Sequence, residues 1–372
     1  MSVRAEAVID LARLRSNLDY LAGPACGGPE VARMAVVKAD AYGHGAVEIS
    51  RVARAAGIPW LGVALPSEAC QLRDAGDTGR ILAWLYAPGD RDLARCIELD
   101  VDLGVGSRGM LDNVAVAADA TGRTARVHLK IDTGLGRGGC SPEQWSDLVQ
   151  AAAGMPSIEV AGIWSHLASA DIPSAPETDQ QIAVFEEALA VAERTGVRPE
   201  VRHLASSGAA LSRPDTRYDL VRLGIAMYGI APGPEIAMGP LQPVMTLRAT
   251  VAAVKPVPTG HGVSYSLTWR APRETTLALV PLGYGDGLPR TARGAHVLIA
   301  GERHPIVGRI AMDQVVVDVG DAAVIAGDEV TVWGAGHMGE PTATDWAAWD
   351  GTIGYEIVTR LGARVPRRYA EG

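Results

Sequence analysis

The chain has no CxxC pair and no apolar run long enough to span a bilayer. Its four cysteines, Cys26, Cys70, Cys96 and Cys140, stand singly along 372 residues. That spacing offers no disulfide framework and fits reduced, structural thiols in a cytoplasmic protein. Blocks of basic residues are also missing. The 34 Lys and Arg side chains are dispersed among 43 acidic ones, for a net charge of -9 and a pI near 5.4. Such a surface has nothing to hold a polyanion, so nucleic acid is a poor partner. The stretch "MSVRAEAVIDLARLRSNL" breaks its apolar residues with Arg4, Glu6, Asp10 and Arg13, which leaves no core for a signal peptide. Together these absences imply a cytoplasmic protein with no membrane association. No low-complexity tract, internal repeat or metal-ligand cluster can be drawn either, so no metal is expected.

What is present is a composition able to bury a sizeable core, 48% hydrophobic and 21% charged. Its first two thirds alternate short apolar runs with helix-patterned stretches. The runs occupy 32–40, 60–65, 80–86, 101–105, 126–132, 159–168, 201–206 and 220–229. Near-continuous apolarity in runs this short is the pattern of parallel strands covered on both faces. Between them, 178–194 places Ile182, Phe185, Leu189 and Ala192 at helical spacing, and 90–98 and 142–152 read similarly. This repetition predicts a (β/α)8 TIM-like barrel over 10–234. After the Pro- and Gly-rich segment 231–240, β-branched runs punctuated by Gly, Pro and Asp predict a mostly-β domain over 235–372, with little helix before Asp345 and with residues 1–9 associated with it.

Barrels carry their reactive groups at the C-terminal ends of strands. There the sequence puts Lys38, Lys130, Arg137, His166, His203, Ser207 and Arg222. A lysine at the lip of an apolar barrel is partly desolvated, which lowers its pKa and leaves an amine able to form a Schiff base with a carbonyl. That is the chemistry of pyridoxal 5'-phosphate (PLP), whose phosphate needs a cradle. Ser207 beside Gly208, at a helix start, offers free backbone N–H groups for one.

The motifs "VVKADAYGHG", "HLKIDTGLGRGG", "SHLASAD", "HLASSGAA", "VRLGIAMYG", "VSYS", "PLGYGDGLPR", "GRIAMDQ" and "TIGYE" resemble, end to end, those of the alanine racemase family, PLP enzymes with an N-terminal barrel and a C-terminal β domain. The resemblance implies that Lys38 bonds the cofactor. It implies that Tyr42, Ser207, Gly224, Ile225 and Tyr355 hold the phosphate, that His166 lies beside the ring, and that Arg222 faces the ring nitrogen with His203 buttressing it. Arg137 and the backbone of Met312 match groups that touch the substrate carboxylate. Lys130 matches a lysine often carbamylated, bracing Arg137. Tyr265 resembles a second catalytic base, reaching the site from the partner of a homodimer together with Met312 and Asp313. Tyr284 and Tyr355, with Arg290 and Ile353, match positions that narrow the entrance. Ser206, Leu223 and Gly285 depart from the residues most relatives carry, Asn, Pro and Ala.

Racemisation removes a proton from one face of a planar carbon and returns one on the other, so two acid–base groups must flank it. Lys38 from the barrel and Tyr265 from the β domain meet that need. An arginine at the ring nitrogen holds its own proton too strongly to give it up, unlike the glutamate of barrel-fold decarboxylases, which limits side reactions. These residues point to interconversion of L- and D-alanine, supplying D-alanine for peptidoglycan. The alternatives are the same chemistry on serine or a broader amino-acid set, a non-catalytic PLP-binding homeostasis protein, which would lack the second domain, and a PLP aldolase or decarboxylase.

Overall fold

The computed structural model describes residues 4–371. Of the residues 1–9 expected to join the second domain, 1–3 lie outside the described residues. Ala5–Asp10 (β1) pairs antiparallel with Met245–Thr250 and parallel with Arg367–Ala370. The helix Leu11–Ala22, capped by the Asp10 side chain, then leads into the barrel.

The barrel strands are Ala32–Val36 (β2), Trp60–Val63 (β3), Arg80–Ala83 (β4), Asp102–Val105 (β5), Ala125–Lys130 (β6), Ile158–Trp164 (β7), Val201–His203 (β8) and Leu220–Leu223 (β9). They form one eight-stranded sheet in the order β8-β7-β6-β5-β4-β3-β2-β9, with every pairing parallel. The ends meet where the Asp219 N–H donates to the Arg202 carbonyl and the Arg222 N–H to the Ala205 carbonyl, each at 3.1 Å. This is the (β/α)8 barrel the sequence predicts. β3, β5 and β9 are buried at every position because helices cover the outer face and packed side chains fill the inner one. The expected helices are found at Pro176–Arg194, Asp92–Glu98 and Pro142–Ala153.

Several strands stop short of their apolar runs. β2 ends at Val36, β7 at Trp164 and β9 at Leu223, where the sequence carries apolar residues on to 40, 168 and 229. The tail after β9 stays buried in other backbone, the 3-10 turn Ile225–Tyr228, whereas Ala39, Asp40 and Ala168 in the other two are exposed. At the rim, burial comes from the second domain and the pocket wall, so hydrophobicity outlasts the sheet.

The second domain is built on a nine-stranded sheet that includes β1. Met245–Thr250 and Val315–Gly320 alternate buried and part-exposed residues, the period of antiparallel strands with one wet face. Two short helices follow, Ala343–Asp350 and Gly354–Thr359. The second of them brings Tyr355 to the mouth of the barrel, and Arg367 Nε donates to the Gly43 carbonyl at 2.9 Å. Among the described residues, no helix is long and apolar enough to cross a membrane.

Candidate active site

The C-terminal mouth of the barrel opens on a cavity of ≈ 540 Å³. Its wall includes the side chains of Lys38, Lys130, Arg137 and Arg222 and no carboxylate. A site with that charge is built for anions.

Lys38 ends the run from β2 and starts an unusual turn. Ala39, Asp40, Ala41 and Tyr42 all have φ of 52 to 54° and ψ of 39 to 52°, a left-handed helical turn made without glycine. Such backbone costs about 1–2 kcal/mol per residue, so its surroundings must hold it. Glu68 Oε1 accepts the Ala39 N–H at 2.6 Å while its other oxygen accepts those of Ala64 and Leu65. Asp40 Oδ1 accepts the Ala46 N–H at 2.8 Å. His44, fully buried, donates from Nδ1 to the carbonyls of Ala41 and Tyr42 at 3.0 Å and stacks on Tyr228. The turn places Lys38 Nζ 5.8 Å from the centroid of the Tyr42 ring and 5.8 Å from that of Trp84. Burial, then the nearby Arg137 and Arg222, lower the Lys38 pKa, against the opposing pull of Glu68.

His44 makes this turn acid-sensitive. Burial pushes its pKa down to about 4. A base with a depressed folded pKa binds protons more readily when unfolded, so its stabilisation is complete above pH ~6.5 and is lost as pH falls toward 4, about 3 kcal/mol in total. The melting temperature should fall between pH 7 and pH 5. In His44→Asn, which keeps a donor near Nδ1, that fall should shrink; an identical pH response would rule out this histidine as its source.

The rest of the cationic wall comes from β6, β7, β8 and β9, of which β9 pairs with β2. Arg222 is 5% exposed. Its Nη1 donates to the His203 carbonyl at 3.0 Å and to His203 Nδ1 at 3.1 Å. Its Nη2 donates to the carbonyls of Ser165 and Leu204, both at 2.8 Å, and to His166 Nδ1 at 3.2 Å. Burial pushes its pKa down to about 9, which leaves a cation at neutral pH. Burial and the cations Arg222, Arg137, Lys130 and Lys38 hold His166 well below the usual histidine range. It is a neutral ring whose Nδ1 accepts from arginine. Lys130 closes β6, its Nζ 4.8 Å from the Trp164 ring centroid. Burial, then Arg222 and Arg137, push its pKa down to about 8.

Beside Lys38, a group of hydroxyls surrounds Gly224. A Cβ there would stand 2.7 Å from Tyr42 Oη and 3.8 Å from Ser207 Oγ, so only glycine allows this approach. Ser207 Oγ accepts the N–H groups of Gly224 at 2.8 Å and Ala226 at 3.3 Å, which leaves its own O–H to donate. The Tyr355 ring lies 6.2 Å from that of Tyr42, and burial pushes its pKa up to about 12.

Lys38, Tyr42, Lys130, Arg137, His166, Ser207, Arg222, Gly224, Ile225 and Tyr355 thus line one cavity, and His203 stands directly behind Arg222. Tyr265, Tyr284, Met312 and Asp313 do not line it. Tyr265 is 66% exposed, Met312 52% and Tyr284 39%. They gather on one face of the β domain: the Tyr284 N–H donates to the Ala311 carbonyl, the Gly285 N–H to that of Met312, and Ser264 Oγ to that of Arg309 at 2.6 Å. Ser264, Ser266 and Leu267 have φ of 60, 59 and 46°, so the backbone presenting Tyr265 is strained. Asp313 pairs with Arg364 at 2.8 Å. Sequence reasoning missed Trp84, Tyr86 and Trp164 as wall residues, because an aromatic in an apolar run reads as core. It also missed Glu68, whose only signal is an acidic residue three positions into a helix.

The N-terminal part of the chain, residues 9–232, matches the family model for the alanine racemase N-terminal domain, and residues 244–369 match that for the C-terminal domain. An alanine racemase of Frankia casuarinae is 51% identical over 99% of this chain and 96% of its own length, and one of Streptomyces coelicolor 52% identical over 99% and 96%. Among solved structures, the alanine racemase of a D-cycloserine-producing Streptomyces lavendulae superposes with a TM-score of 0.96 at 51% identity, covering 100% of this chain and 98% of that one. That of Bacillus anthracis with bound L-Ala-P gives 0.92 at 35% identity, covering 100% and 96%. With its barrel, its cation-lined cavity and these matches over nearly its whole length, the chain belongs to the alanine racemase family.

Proposed function

We propose that the protein is a PLP-dependent racemase interconverting L- and D-alanine, working as a cytoplasmic homodimer and supplying D-alanine for peptidoglycan. One observation carries the reading most: a desolvated lysine and a buried arginine, brought by the neighbouring strands β2 and β9, line a cavity with four cationic side chains and no carboxylate on its wall. The relatives' shared name supports alanine as substrate.

The residues fit the cofactor. The hydroxyls of Tyr42, Ser207 and Tyr355, with the backbone of Gly224 and Ile225, make a neutral, donor-rich end for a phosphate. Among the described residues, the hydrogen bonds of Arg222 use its terminal nitrogens, which leaves Nε–H for a ring nitrogen, and His166 lies alongside. When bound, PLP would supply a carbonyl that takes up the substrate amine and a ring that shares the electron pair left on the substrate carbon when the α-proton is removed.

The chain's own residues do the rest. Desolvation and neighbouring cations lower the Lys38 pKa, so Nζ can hold or release a proton on one face of the substrate carbon. Tyr265 Oη of the partner serves the opposite face. Its outward presentation on a strained segment, beside exposed Met312 and Tyr284, supports an interface role. Arg137 is left to take the substrate carboxylate, joined by the backbone of the partner's Met312. Lys130 is an amine available to carbon dioxide near neutral pH, and the carbamate formed would give Arg137 an anion to lean on.

Incubating the purified protein with a panel of L-amino acids in heavy water, followed by chiral separation, tests this. D-alanine labelled at Cα should dominate the products. No labelled D-enantiomer of any amino acid would sink the racemase reading, and faster labelling of serine would replace the substrate.

A further inference from the structure

A line of polar groups crosses the barrel interior beneath the cavity. It begins at the N-terminal end of β5, the end of a barrel that usually serves stability alone. Asp102 Oδ2 lies 3.1 Å from His128 Nε2, His128 Nδ1 lies 2.9 Å from His203 Nε2, and His203 Nδ1 lies 3.1 Å from Arg222 Nη1. Asp102, His128 and His203 are fully buried. Aromatic rings wall the line, Trp60 edge-on to His128 and Trp164 stacked on His203. A Cβ on Gly162 would stand 2.3 Å from His128 Nδ1, so β7 gives up a side chain to make room for this ring.

The ends of the line allow one order of protons. Arg222 can only donate, so His203 Nδ1 must be bare and His203 carries its hydrogen on Nε2. That hydrogen requires a bare Nδ1 on His128, whose own hydrogen on Nε2 then meets the Asp102 carboxylate. A charged His128 would turn an N–H toward His203 and reverse the order, setting two donors against each other at Arg222. The second oxygen of Asp102 is also committed, accepting from Arg126 Nε at 3.1 Å.

We propose that Asp102 and His128 are positioning residues for Arg222: the carboxylate at the closed end of the barrel sets the proton order in both imidazoles. His203 therefore meets the guanidinium with a lone pair and holds its Nε–H toward the cavity. The proposal rests on the racemase reading for what Nε faces, but not for the proton order. Both Asp102 oxygens face donors, Arg126 on one side and His128 on the other. An amide at this position has one acceptor, so it satisfies one donor and fails the other.

The test uses the full-length protein with 15N-labelled histidine, in unaltered form and as Asp102→Asn, His128→Phe and the double variant. Ring-nitrogen shifts, racemisation kinetics, the visible absorption of bound PLP and melting temperature are read on each. In the unaltered protein both His128 and His203 should be neutral with the proton on Nε2. Asp102→Asn should shift the His203 pattern and the PLP absorption and lower kcat about 10-fold, the worth of a hydrogen bond to a charged group, with KM for alanine little changed. With the line already cut in His128→Phe, Asp102→Asn should cost no further kcat, although losing the ion pair with Arg126 still lowers the melting temperature. A proton on Nδ1 of either ring, a charged ring, His203 shifts indifferent to Asp102→Asn, or kcat losses that multiply would each overturn the proposal. Should Asp102→Asn fail to fold, His128→Phe decides: His203 shifts and kcat unchanged from the unaltered protein would overturn the proposal. Absence of racemisation in the unaltered protein would instead strike the functional reading and leave the proton order standing.

Discussion

Two inactive variants, Lys38→Ala and Tyr265→Ala, should regain activity when mixed, unfolded and refolded together. Each alone loses an acid–base group, worth about 10²–10⁴ in rate. Within one chain, Lys38 lines the cavity while Tyr265 is 66% exposed and outside its wall. If each site takes its tyrosine from the other subunit, a mixed dimer has one site lacking both groups and one site lacking neither. Random pairing makes half the dimers mixed, so recovery should approach about a quarter of the unaltered activity. No recovery would mean that Tyr265 serves its own chain or no site at all. The single variants carry a second signature. The equilibrium between enantiomers is fixed, so Tyr265→Ala must slow net racemisation equally in both directions. Exchange of the α-proton with solvent is not bound in that way, and Lys38 should still drive it from one enantiomer. Exchange lost equally from both would show that the phenol does not serve a face of its own.

The barrel is legible in the sequence because its strands are buried on both sides. Runs such as "WLGVAL" and "RILAWLY" cannot alternate and still satisfy two covered faces. The strand-end rule then locates the basic side chains of the cavity wall, since Lys130 closes β6, His166 lies two residues past β7 and Arg222 is in β9. What stays hidden are features made by contacts distant in sequence. Nothing in Ala-Asp-Ala-Tyr favours four successive left-handed residues; Glu68 and Arg367 help to hold the turn and lie far along the chain. Asp102 and His128 each read as an isolated polar residue in an apolar strand. Only the neighbouring positions of β5 and β6 in the closed barrel bring their side chains together. The exposed group around Tyr265 is legible only through the motifs that resemble the family, because neither apolar periodicity nor the strand-end rule marks it.

Arg222→Glu is the other substitution with a large expected effect, and Arg222→Lys is its control. The pocket for the guanidinium is lined by acceptors, the carbonyls of Ser165, His203 and Leu204 and the Nδ1 atoms of His166 and His203. Lysine keeps the charge but brings three donors from one point, so some carbonyls go unmet at about 1–3 kcal/mol each. Glutamate cannot stand ionised among those lone pairs and must take up a proton. Leaving those buried acceptors unmet should lower stability by about 1–3 kcal/mol each, and kcat should fall at least ~10²-fold in both variants as preorganised donors are lost. The two should part in their products. A protonated acid can hand its proton to the ring nitrogen of bound PLP, which lysine at this site does far less readily. With that acid at this position, bound PLP would supply a stronger electron sink than beside arginine, which favours transamination, with the amino group kept by the cofactor as pyruvate leaves. Arg222→Glu should therefore convert a larger share of alanine to pyruvate per racemisation event than Arg222→Lys. Equal pyruvate-to-racemate ratios in the two would show that the arginine only fills space, and that reaction specificity is set by other groups of the cavity.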